Sequence, residues 1–398
     1  MARTNLLIPL LLLISQQTFP AAPFRGGDRP SDTPGVVLLY NPFELHIDPM
    51  ERLLLINFEN DPDSLYIGFE PQVFSDTVNG YGHLVIGWRR DGRVDVYHQP
   101  GLRPDPAKFD IAGKGLAHLM VREMPGALYE VGAAGVRARY AFNDLHGRPV
   151  EIRIQESNQR RRKPFGLLAP MGDAAANPSA MPLVLLHDFY FVRRRDTDFQ
   201  VRVGGRSHRP DKLPLPMDFA RMYFARYSPD PLIATFNPAH DGPLGPLPVP
   251  QDARRVEAGE GVLHLSWNAG MPEIARLERR HGQHTLSLAF DPPFPDLLDL
   301  ATGRSVTGGF VIAGHPSTGQ VSGTYRVARQ QDGAVLLQLD PAGGWQPREK
   351  KWSVRLMYLL AKPFRNWPRT YLWEAVLQKT PEGEWHMRSG WIRSVAAD

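Results

Sequence analysis

From Val36 onward the chain alternates short apolar runs with clusters of Pro, Gly, Asn and Asp. That rhythm predicts many strands and few helices, at the spacing found in sandwiches and barrels. The richest run is Leu183-Val-Leu-Leu-His-Asp-Phe-Tyr-Phe-Val192, followed by Arg193-Arg-Arg and then Phe199-Gln-Val-Arg-Val-Gly204. Its β-branched, aromatic and aliphatic content reads as a buried strand feeding a second one. Val136-Arg-Ala-Arg-Tyr-Ala-Phe142 and Val150-Glu-Ile-Arg-Ile154 alternate apolar with charged residues. Such alternation predicts strands with one buried and one wet face, here joined by a turn at Asn143-Asp-Leu-His-Gly147. Asp91-Gly92 lies between two more runs, His83–Trp88 and Val94–His98, and is a hairpin cue because Gly accepts the positive φ of a tight turn. A second hairpin is expected around Gln331-Asp-Gly333. Val354–Leu360, Tyr371–Leu377 and Trp385–Trp391 read as closing strands, and Asp296 to Ala301 as one helical turn.

The first residues follow a different pattern. Arg3 is the only charge before the apolar core Leu6–Ile14, which is followed by polar Ser15–Thr18 and by Phe19-Pro-Ala-Ala22. A positive end, a short greasy core and small residues describe a secretory signal, expected at 1–22, and the core is too short to span a bilayer. The expected location is therefore secreted or periplasmic. Residues 23–35 read as a flexible lead-in, 36–163 as an N-terminal β domain, 164–182 as a Pro/Gly/Ala-rich linker, and 183–398 as a C-terminal β domain. The basic run Gln159-Arg-Arg-Arg-Lys163 before Pro164 reads as a solvated joint.

Composition narrows the picture. The 398 residues suffice for two ordinary domains, and 38 prolines, about twice the usual share, argue for turns over long helices. The net charge of +4 is mild and spread along the chain, so nucleic acid is not an expected partner, while peripheral contact with an anionic membrane surface is compatible with it. There is no cysteine, which excludes disulfides, thiol nucleophiles and cysteine-held metals.

Among candidate chemistry, His187 and Asp188 stand inside the apolar run. Neighbours on a strand face opposite sides, so one of them should point into a core or cavity, with Tyr190 on the face of Asp188. These three are the candidate catalytic residues. Tyr97 and His98, at a strand end, and Tyr223, Arg226 and Tyr227 are candidate ligand-binding residues at a barrel mouth. Glu44, His46 and Asp48 alternate and share one strand face, but no HxH or HExxH spacing supports a metal, so no metal or other cofactor is expected. Six tryptophans (Trp345, Trp352, Trp367, Trp373, Trp385 and Trp391) crowd the C-terminal end and suit core packing or a lipophilic wall. There is no Gly-x-Ser-x-Gly elbow, and Ala112-Gly-Lys-Gly115 lacks the rest of a phosphate loop.

The expected fold is all-β, with two antiparallel barrel or sandwich halves and few short helices. The layout is similar to that of proteins built from two lipocalin-like domains, in architecture and length alone. It implies an exported protein that binds an apolar or amphipathic small molecule. The alternative is an extracytoplasmic enzyme acting on a lipid, isoprenoid or carbohydrate by acid/base chemistry.

Overall fold

The computed structural model describes residues 35–393, apart from 110–113, 170–177, 215, 218 and 361. The expected signal peptide, nearly all of the lead-in, the middle of the expected linker and Ala112-Gly113 lie outside the described residues.

The protein is nearly all-β, and its sheets are curled, a half-barrel among them. The run singled out in the sequence becomes the 13-residue strand Met181–Arg193. Its first half pairs with Leu232–Phe236 and its second with Met222–Ser228 on one side, while Phe165–Ala169 pairs along the other. From there the sheet continues through Arg52–Asn57, Tyr66–Asp76, Gly80–Arg89 and Val94–His98 to Leu116–Val121, which is joined in parallel. Leu45–Asp48 closes the opposite edge. These pairings cross the linker expected at 164–182: Phe165–Ala169 is itself a strand, and the sheet draws residues from both sides of it.

A bulge interrupts the long strand. Phe165 faces Phe189 and Leu167 faces Leu186, so His187 and Asp188 together oppose the single residue Gly166. One extra residue reverses the side-chain phase. Val184 and Leu186 before the bulge therefore share a side with Phe189 and Phe191 after it, and all four line one cavity.

A five-stranded antiparallel sheet, in the order Arg206–His208, Thr197–Val203, Pro149–Glu156, Gly135–Asn143, Leu128–Gly132, covers the other face of the first sheet. The alternation read in the sequence holds: Val150, Ile152 and Ile154 are buried while Glu151 and Arg153 are exposed. The buried set packs on Leu54, Ile56, Phe69, Val85 and Tyr227 of the first sheet. The Asp91-Gly92 turn also forms, with Gly92 at φ +85° between its two strands.

Residues 240–393 supply a ten-stranded antiparallel sheet running from His240–Pro243 through Trp385–Arg393 and back strand by strand to Arg255–Ala258. Large aromatic side chains pack inside it. Trp373, Trp385 and Trp391 are buried there, and Phe43 from the N-terminal segment inserts among Phe290, Phe294 and Trp373, with ring centroids 4.9, 4.7 and 6.0 Å away. Core packing thus accounts for most of the crowded tryptophans, while Trp352 stands exposed.

Residues 352–360 form an α-helix, Trp352–Leu360, where the sequence reading expected a strand. Val354 and Tyr358, one turn apart, are buried, whereas Trp352, Arg355 and Leu359 face out. This is a helical stripe that an apolar-rich run disguises as strand alternation. Residues 296–301 make a turn rather than a helix, with Asp296 Oδ1 accepting from Leu298 N at 2.9 Å.

Candidate functional site

The sheet carrying the long strand has two different faces. Strand alternation sends Leu54 and Ile56 into the sandwich, and Leu53, Leu55 and Asn57 toward a cavity of about 1010 Å3. Gly68, Glu70, Gln72 and Phe74 follow from the next strand, then Leu84, Ile86 and Trp88, then Phe224 and Arg226. Phe109, Leu167, Met357 and Phe364 complete the wall from outside the sheet's main path. Most of the lining is aliphatic or aromatic, and the volume is at the upper end of the ~300–1,000 Å3 usual for small-molecule sites.

Glu70 is the polar exception that stands out. It is buried, its Oε1 accepts from Gln72 Nε2 at 2.8 Å and its Oε2 from Trp88 Nε1 at 3.0 Å. Burial pushes its pKa up to about 7, against the opposing pull of those two hydrogen bonds and of the Arg226 charge. Arg226 lies deep in the protein yet keeps part of its surface open to the cavity. Its Nη1 donates to Asn57 Oδ1 at 2.6 Å, and its guanidinium lies 4.3 Å from the Phe224 ring centre. Burial lowers its pKa to about 10, with Glu70 and Glu59 opposing. A carboxyl that changes charge near neutrality, in an apolar chamber beside a fixed cation, can hold a proton donor or orient one polar group of a greasy molecule.

A second polar group lines the same cavity. Glu44, His46 and Asp48 all border it, as their shared strand face implied, and Asp48 Oδ1 accepts from Lys108 Nζ at 2.8 Å. The apolar wall of the chamber thus carries polar groups in more than one place.

Of the sequence candidates, Arg226 lines the cavity, while Tyr97, His98, Tyr223 and Tyr227 do not. Tyr97 is buried against Tyr66, with their hydroxyls 2.5 Å apart, and burial pushes its pKa up to about 12. The ring of His98 is tied to the Gln99 carbonyl at 3.0 Å. The hydroxyl of Tyr227 accepts from Arg162 at 2.7 Å, and Tyr223 packs edge-on against Phe199.

His187, Asp188 and Tyr190 do not border the chamber either. Tyr190 donates to Asp188 Oδ1 at 3.3 Å and stacks on Tyr227, and burial, then the charge of Asp188, pushes its pKa up to about 12. His187 turns toward the C-terminal sheet, where its Nε2 lies 3.5 Å from Asp230 Oδ2. Burial lowers the His187 pKa, against the attraction of Asp230. The bulge separates these residues from the cavity by re-phasing the strand around them.

The Glu70, Gln72, Trp88 and Arg226 group was not assembled from the sequence. Its one local signal is a lone carboxylate inside the apolar-rich stretch Leu65–Phe74, which the strand Tyr66–Asp76 spans through Pro71. Compared with protein-family models, curated proteins and solved structures, the chain matches none.

Proposed function

We propose that the chain is an exported double β-barrel protein that binds an apolar or amphipathic small molecule in the chamber lined by Leu55, Ile86, Phe191 and Glu70. The half-barrel sheet and the ten-stranded sheet would be the two barrels of that layout. The observation that carries the reading is the chamber itself: about 1010 Å3, walled mostly by aliphatic and aromatic side chains, with polar groups such as Glu70 and Arg226 held at fixed positions. Burying a hydrocarbon there gains roughly 25 cal/mol per Å2 of apolar surface, and Glu70 and Arg226 would fix the orientation of one polar end.

Peripheral membrane contact fits the same reading. The helix Trp352–Leu360 exposes Trp352, Arg355 and Leu359 beside exposed Lys350, while Met357 on the same helix lines the chamber. Aromatic and aliphatic tips next to cations suit an anionic lipid surface, from which a greasy ligand would be drawn.

A second reading is favoured by Glu70 alone. A carboxyl held near pKa 7 in an apolar chamber is suited to proton transfer, so an enzyme acting on a lipid, isoprenoid or carbohydrate would use Glu70 as its acid or base, with Arg226 stabilising the charge that develops.

The test is a binding titration of the full chain with a neutral fluorescent long-chain alcohol, together with mass spectrometry of solvent extracts of the purified protein. Saturable binding that Ile86→Trp abolishes, with circular dichroism unchanged, supports the reading. A wild-type chain that takes up no probe and carries nothing extractable overturns it.

A further inference from the structure

The bulge that removes His187 from the chamber delivers it to a second cluster. Asp230 lies in the corner between the strands Met222–Ser228 and Leu232–Phe236, where the long strand changes partner. His284 opens the strand His284–Phe294 of the ten-stranded sheet. Asp230 Oδ1 lies 3.0 Å from His284 Nε2, and Asp230 Oδ2 lies 3.5 Å from His187 Nε2. One ligand atom from each of the three side chains falls within 4.8 Å of the others. A tetrahedral ion with bonds of ~2.0–2.1 Å needs ligand atoms ~3.3 Å apart, so shifts of about an ångström would close the set.

The His187 ring faces Asp230 with its Nε2, while its buried Nδ1, on the other edge, has no hydrogen-bond partner among the described residues. The carboxylate, by contrast, is oriented from outside: Gln283 Nε2 donates to Asp230 Oδ2 at 3.1 Å, the kind of support that metal-binding carboxylates receive. The His187 and His284 side chains are largely enclosed, at 13% and 9% exposure, while Asp230 at 41% leaves the cluster reachable from solvent. The ring of His315 packs beside that of His187, with centres 4.7 Å apart.

We propose that His187, Asp230 and His284 form a binding site for a zinc-class divalent ion that ties the long central strand to the ten-stranded sheet. Two imidazoles and one carboxylate are nitrogen-rich and thiolate-free, a donor set that suits Zn2+ and its first-row neighbours rather than the all-oxygen preferences of Ca2+ or Mg2+. Each half contributes ligands, His187 and Asp230 from the first sheet and His284 from the second, so an ion here would act as a clasp between them. The site is separate from the chamber and does not depend on what the chamber holds.

The experiment uses the untagged full chain, stripped with a chelator and titrated with Co2+ by visible absorption and with Zn2+ by calorimetry and thermal unfolding. One equivalent should bind, with tetrahedral cobalt bands, and the midpoint of unfolding should rise with Zn2+. His284→Ala should weaken binding more than 100-fold and Gln283→Ala by about 10-fold, the lower end of the usual cost of removing a supporting contact. Asp230→Asn, half-exposed and of the same shape, guards against misfolding of the histidine variant: it should keep the metal-free unfolding midpoint and lose the zinc response. Wild-type protein with no cobalt spectrum and no zinc-dependent stabilisation overturns the proposal, as does an Asp230→Asn chain that binds as well as wild type.

Discussion

Arg162 grips Glu156 through both terminal guanidinium nitrogens, Nη1 donating to Oε2 and Nη2 to Oε1, each at 2.7 Å, with the carboxylate fully enclosed. The carboxylate also accepts from the backbone N–H of Val136 and Arg193, so a single side chain fastens two strands and the segment between them. The sequence reading placed Arg162 in a solvated basic joint. Its burial follows from Glu156, a residue at the end of an alternating strand whose partner lies six positions on.

That pair gives the first prediction. Arg162→Met leaves a buried carboxylate without its counter-charge, and the expected loss of stability is about 3–5 kcal/mol. Urea unfolding monitored by tryptophan fluorescence measures it. The exposed neighbour Arg160, changed to Met, should alter the unfolding free energy by less than ~0.5 kcal/mol.

Glu70 gives a pH-dependent prediction. Its folded pKa of about 7 lies above the ordinary 4.5, so the folded state holds this proton more tightly than the unfolded state does. Below pH ~4.5 the carboxyl is neutral in both states and costs nothing. Between there and about 7 the cost of its burial grows, and above 7 it is fully felt, at about 3 kcal/mol. Glu70→Gln should therefore gain stability over wild type as pH rises through this window. Unfolding midpoints that run parallel from pH 4 to 8 would contradict the assignment.

The same titration should reach the ligand. A neutral long-chain probe meets a neutral Glu70 below pH ~7 and a buried anion above it. Its affinity should fall several-fold between pH 6 and 8 in wild type and stay level in Glu70→Gln. Fluorescence titration at constant ionic strength reads the difference.

Gly166 supplies a packing prediction. A Cβ there would collide with the Ser317 carbonyl oxygen, and the Gly166 carbonyl accepts from the Tyr358 hydroxyl at 2.9 Å. Gly166→Ala must push the 317 loop away from the long strand, at an expected cost of about 1–3 kcal/mol. Tyr358→Phe keeps the ring and loses one hydrogen bond, and should cost about 1 kcal/mol. Thermal unfolding of the two variants ranks them.

Local chemistry was legible in the sequence wherever local physics decides the structure. Asp91-Gly92 fixed a turn because only a positive φ fits there, and the charged alternation of 150–154 fixed a strand because one face is wet. What was hidden depends on partners far along the chain. Nothing near His187 announces Asp230 or His284, which arrive through a sheet corner and a different sheet. That neither His187 nor Asp188 borders the chamber was equally illegible, because simple alternation has no place for an extra residue. Helix Trp352–Leu360 escaped because Leu356, Met357, Leu359 and Leu360 are apolar on every side, which erases the periodicity that separates helix from strand.

The doubled residue opposite Gly166 has a consequence for anyone altering this chain. A strand obeys an odd–even rule, and here the parity changes hands midway, letting one ribbon serve the greasy chamber at both ends while its centre looks elsewhere. Deleting a single codon at Asp188 would leave His187 alone opposite Gly166, so the ribbon would lose its doubled position while Phe189 and Phe191 kept the chamber side by plain odd–even order.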